Sequence, residues 1–135
     1  MYSLEIAQLA RTALEVSGCD PTLIGALDNH STIVLDLHDL PSIYISVQDE
    51  DVWLWSLIGE HGDAMIAQRG GALLQALMDN CAFARGGQLQ LVVQDGSLAL
   101  KGLVHPNYLG DGLRFSEALN GFFASLQHFS GLLLR

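Results

Sequence analysis

Two cysteines and five histidines are the residues of this chain with the most chemistry in them. Cys19 and Cys81 lie far apart and form no C-x-x-C pair, so neither a redox dithiol nor a paired metal clamp is present. A cysteine nucleophile needs a base beside it. Cys19 falls in the turn Cys19-Asp20-Pro21, and no sequence feature selects a histidine to serve it. Both cysteines read as free thiols in a reducing compartment, small and apolar enough to be buried. Asp36, His38 and Asp39 resemble metal ligands in type, but Asp36 and His38 share one side of a strand while Asp39 enters the turn before Pro41. Zinc normally takes about four ligands, and this group supplies no full set. In His61-Gly62-Asp63 the carboxylate suits the N-terminal cap of a helix better than a metal. The chain contains no G-x-S-x-G, no H-E-x-x-H, no P-loop and no G-x-G-x-x-G. These residues point away from an enzyme; a small Cys/His hydrolase is the competing class.

The elements that would position any site follow from periodicity. Residues 3–17 place Ile6, Leu9, Ala10, Ala13, Leu14 and Val16 on one broad arc, a helix ended by Gly18. Three strands follow at 31–37, 42–47 and 52–57, each alternating with a period of two. Ile33, Leu35 and Leu37 share a face, as do Ile43, Ile45 and Val47, and as do Trp53, Trp55 and Leu57. A second helix over 63–82 gathers Ile66, Leu73, Leu74, Leu77, Met78 and Cys81 on one face, with Met65, Ala72 and Ala76 across from them. Gly70-Gly71 falls inside it and costs about 1 kcal/mol per glycine relative to alanine. Either the helix bends there or another backbone approaches closely. Asp95-Gly96 then joins strands at 88–94 and 97–104 as a hairpin. Residues 112–134 form a last helix with the stripe Phe115, Leu119, Phe122, Leu126, Phe129 and Leu133. The expected fold is α+β, in the order α-β-β-β-α-β-β-α, with three helices and a mostly antiparallel five-stranded sheet.

Composition narrows the partners. The 135 residues suit a single domain over 1–135, and half of them are hydrophobic, which excludes a disordered tail. Lys+Arg number 6 against 15 Asp+Glu, a net charge of −9. That balance argues against nucleic acid and against an anionic membrane, both of which need clustered cations. Glu5 and Arg11 interrupt any secretory signal, and no run approaches the ~18 apolar residues of a membrane span. The expected location is the cytoplasm, with no cofactor.

Several stretches together are similar to a known family. They are Leu14-Glu15-Val16-Ser17-Gly18-Cys19-Asp20-Pro21, His30-Ser31-Thr32-Ile33-Val34-Leu35-Asp36-Leu37, Asp51-Val52-Trp53, Phe83-Ala84-Arg85-Gly86-Gly87-Gln88-Leu89, Leu103-Val104-His105-Pro106 and Ala118-Leu119-Asn120-Gly121-Phe122. In this order they resemble the class I type III secretion chaperones, in the broad-range (class IB) group of the InvB/SpaK family. The resemblance implies the same fold and an acidic cytoplasmic homodimer without ATP use or covalent chemistry. It also implies binding of the N-terminal, non-globular chaperone-binding segments of secreted effector proteins. An adaptor subunit of the secretion apparatus is the third class. With that function, the expected effector groove is the outer flank of the first helix (Ile6, Leu9, Ala13) with Ile33, Leu35, Ile43 and Ile45; Trp53, on one face with Trp55, serves as core or as an anchor. The expected dimer face is Met65, Ala72 and Ala76. Surplus acid keeps such exposed apolar surface in solution.

Overall fold

Alternating strands need a second layer to cover their apolar side, and amphipathic helices supply it. The computed structural model describes the backbone of residues 2–16, 32–37 and 39–134, and the side chains of all of these but 2–7 and 134. The elements are α1 (Tyr2–Val16), β1 (Thr32–Leu35), β2 (Ile43–Gln48), β3 (Asp51–Glu60), α2 (Asp63–Leu77), β4 (Gln90–Gln94), β5 (Ser97–Leu103) and α3 (Gly112–Leu134). This is the order expected from periodicity. All strand pairs are antiparallel, in the spatial order β1-β2-β3-β5-β4. Among the described strands, β1 and β4 are therefore the edges of the sheet.

Register sorts the strand residues into two faces. Ile33 pairs with Ile45, Ile45 with Leu54, and Leu54 with Gly102. These belong to the inner face, which one buried cluster joins to Ala10, Ala13 and Leu14 of α1, Leu73 and Ala76 of α2, and the α3 stripe from Phe115 to Phe129. Ser56 is the buried polar residue of this face, and its hydroxyl donates to the Ser42 carbonyl at 2.6 Å. That bond removes the cost of burying an unpaired hydroxyl.

Close approaches lock the helices down. A Cβ at Gly112, the first residue of α3, would lie 2.2 Å from Thr12 Cγ2, so only glycine allows α1 and α3 this near to each other. Asp111 caps α3, accepting from the Arg114 N–H at 2.8 Å. Phe83 lies in a slot between β5 and α3: a Cβ at Gly102 or Gly121 would come within 3.1 and 3.0 Å of its ring.

Several boundaries differ from the sequence expectation, β1 and β4 among them being shorter than expected. The second helix ends at Leu77 rather than 82, and its C-cap is Met78. The chain then turns so that Phe83 and Ala84 enter the core, with Ala84 bridged to Val104. A helix carried through 82 would point the chain away from that slot. The N-cap of α2 is Gly62 with no side-chain cap, and Asp63 stands in the first turn. There its charge still complements the helix dipole. β3 runs on to Glu60 through an irregularity between Leu57 and Gly59.

Candidate partner-binding surface

The strand residues that alternate with the core make the outer face. Val34 pairs with Tyr44, Tyr44 with Trp55, Ser46 with Trp53, Trp53 with Leu103 and Trp55 with Lys101. Val34, Tyr44, Trp53, Trp55, Leu57 and Leu103 are all only half-buried, and none belongs to the cluster that unites the helices with the sheet. Cross-strand contacts hold this face in one conformation. The Trp55 indole N–H donates to Ser46 Oγ at 2.9 Å, Ser46 shares a hydrogen bond with Thr32 Oγ1 at 3.2 Å, and Tyr44 stacks on Trp55 with centroids 4.2 Å apart. Lys101 Nζ lies 4.7 Å from the centre of the Trp53 ring, within the range where an aromatic face attracts a cation. At the rim, Asp51 is paired with Arg85 at 3.2 Å. The result is a pre-ordered aromatic surface with a lysine beside its tryptophans.

The residues expected to line an effector groove are dispersed by this arrangement. Ile33, Leu35, Ile43 and Ile45 are 0–4% exposed, and Ala13 is buried with them. These five lie in the core of the chain, because the helices pack on the face that the isoleucines share. Leu9 is half-buried against the same core. The Ile6 side chain lies outside the described residues. Among the described members of the set, Trp53 is the one on the outer face. The sequence pairs Trp55 with Trp53 as core or anchor, whereas it does not single out Tyr44, Leu57, Lys101 and Leu103 as groove residues. The available signal was residue type: aromatic side chains with polar atoms tolerate a wet face, whereas aliphatic isoleucines do not.

The expected dimer face divides as well. Ala76 is buried and Met65 packs partly against the core, while Ala72 is exposed. Ala72 and Ala76 line a cleft with Met78 and Leu132. Of the residues expected on the core side of the second helix, Leu73 is buried, but Leu74 and Met78 are 59% and 61% exposed and Ile66 is exposed too. The helix turns Leu73 and Ala76 inward, with Met65 and Leu77 packed partly against the core, and leaves Ile66, Leu74 and Met78 outside. Its apolar outer strip runs into Val93 of β4, around a cleft of about 340 Å³ lined by Ile66, Gly70, Leu74 and Val93. The helix is continuous through Gly70-Gly71, and a Cβ at Gly71 would meet nothing within 4 Å.

The residues with reactive side chains gather no catalytic centre among the described residues. Cys81 is a half-buried free thiol whose pKa is raised, chiefly by burial, against a lesser lowering from backbone hydrogen bonds at Ala84 and Phe83. A nucleophilic cysteine needs the opposite shift. His128 lines the same small cavity as Cys81. Asp36 accepts a hydrogen bond from Ser42 at 3.0 Å. Cys19 and His38 lie outside the described residues. No described helix is long and apolar enough to cross a membrane.

Residues 18–95 match the Invasion protein B family. The chain is 57% identical, over all 135 residues of both proteins, to the surface presentation of antigens protein SpaK of Salmonella typhimurium strain LT2, and equally to that of Salmonella typhi. The chain belongs to the Invasion protein B family. Among solved structures, the fold is similar to a chain from the heterodimeric ExoU–SpcU complex of the Pseudomonas aeruginosa type III secretion system. That likeness has a TM-score of 0.57 at 19% identity and covers 91% of this chain and 93% of that one. For this Invasion protein B family member it supports the architecture of five strands and three helices.

Proposed function

We propose that this protein is a type III secretion chaperone of the bacterial cytoplasm. It binds the N-terminal, non-globular segments of one or more effectors and keeps them soluble and competent for secretion. Membership of the Invasion protein B family and the fold shared with a chain of a type III secretion complex support this reading. The observation that carries it is the outer sheet face: aromatic side chains held in place by cross-strand contacts, with none of the described helices packed over them. A folded chain that leaves such a surface open has already met its own ordering cost. The partner segment bears the remaining entropy, so a long contact remains reversible.

The protein acts as a binding partner rather than an enzyme, without cofactor or nucleic acid. It works as a homodimer, with a second copy against the apolar strip of Ile66, Leu74, Met78 and Val93. Exposed aliphatic residues in a row on one helix are a liability in a monomer and an interface in a dimer. Leu74→Glu should yield a monomer by light scattering, and an unchanged dimer would move the interface elsewhere.

The deciding experiment is a pull-down of the tagged chain from type III-secreting cells, with mass spectrometry and limited proteolysis of what is retained. The expected catch is secreted proteins held through their N-terminal segments. Recovery of a folded component of the apparatus would replace the chaperone reading with that of an adaptor.

A further inference from the structure

The chain contains a single lysine, Lys101, against 15 Asp+Glu. Its place is notable on physical grounds. It stands on β5 directly opposite Trp55 in the register, with Gln90 of β4 on its other side. Its ammonium lies over the Trp53 ring rather than beside a carboxylate. The two side-chain ion pairs among the described residues are Arg85–Asp51 and Arg114–Glu117, so Lys101 has no acidic partner within 4 Å there. The neighbouring outer-face positions are Tyr44, Trp53, Trp55, Leu57, Ala99 and Leu103, none of them charged.

A half-buried cation flanked by two tryptophans has lost part of its hydration. The ring quadrupole compensates for some of that loss, and a carboxylate would compensate for more. A segment laid on this face covers Lys101 further and must supply the missing anion or bury an unpaired charge. We propose that Lys101 is a specificity-determining residue, selecting an extended partner segment in which one carboxylate is flanked by apolar or aromatic side chains. This rests on the outer face being the docking surface of the chaperone reading, and adds the chemistry of the occupant. The −9 background makes the selection sharper. The surplus of acid disfavours carboxylates over most of the surface, and Arg85 at the rim is already paired with Asp51, so on this face an acidic residue is favoured where it meets this ammonium.

The test is selection of a displayed random 15-residue peptide library on the immobilised full chain. Parallel selections use Lys101→Met, Lys101→Arg, Lys101→Glu and Trp55→Ala, with circular dichroism confirming that each variant is folded. Binders of the unaltered protein should be enriched in Asp or Glu within two positions of an aromatic or aliphatic residue. Lys101→Met should abolish that enrichment and weaken the selected peptides about three- to tenfold, more so at low salt. Lys101→Glu should turn the preference to Lys or Arg, and Lys101→Arg should retain the acidic one. If Trp55→Ala removes binding but no acidic preference depends on residue 101, the inference about Lys101 fails while the docking surface stands. If binding is indifferent to both positions, the outer face is not the docking surface and the inference falls with it. If Lys101→Glu instead splits a dimer by light scattering, a second copy occupies the face and the proposal is overturned.

Discussion

The inner and outer faces of the sheet come from the same strands and the same period of two, yet they have different fates. The inner face is aliphatic: Ile33, Ile43, Ile45, Val52, Leu54 and Leu100 are buried under the helices. The outer face is aromatic, with Tyr44, Trp53 and Trp55 anchored by Ser46 and Lys101 and left half in water. Branched aliphatic side chains have nothing to offer water, so their burial drives folding. Tryptophan and tyrosine combine large apolar area with a polar handle, so they can wait at a surface without collapsing it. One face therefore makes the fold and the other remains available after it.

The sharpest way to break this contrast is to truncate both faces. Phe122→Ala, inside the core, should lose about 3–5 kcal/mol in urea unfolding. Trp55→Ala should cost only about 1–2 kcal/mol, for one stacked pair and one hydrogen bond, while abolishing segment binding. Equal losses of stability would mean that the outer face also holds the fold together. A smaller effect separates the two sides of α2. Gly71→Ala should raise the stability of dilute protein by up to about 1 kcal/mol, because its Cβ enters open space. If the second copy packs there, the same change should weaken the dimer by analytical ultracentrifugation. The smallest effect belongs to the rim. Asp51→Asn breaks the half-exposed pair with Arg85 and should shift stability by less than about 1 kcal/mol, diminishing further in salt.

Much of the fold is visible in the chain because local signals agree. Asp95-Gly96 sets the β4–β5 hairpin, and both residues take positive φ as that turn requires. The α3 stripe from Phe115 to Phe129 is buried as its spacing predicts. The candidate surface was less legible. Alternation shows that Ile33 and Ile45 share a face and that Trp53 and Trp55 share one, but not which of the two the helices cover. That choice is tertiary, made where Gly112 admits Thr12 and where Gly102 and Gly121 admit Phe83. The end of α2 was hidden for a related reason. The residues beyond Leu77 have helical spacing, but the chain turns there and brings Phe83 and Ala84 into the core.

That none of the described helices covers the outer face has a mechanical consequence. A segment enclosed in a groove leaves only when the whole groove opens, so its release has a single high barrier. A segment lying on an open sheet can be peeled from one end. Each step then breaks the contacts of one or two side chains, and the force required is set by the strongest single anchor rather than by their sum. Tight holding and low-force release are compatible on such a surface, provided that the pull comes along the strand and from one end.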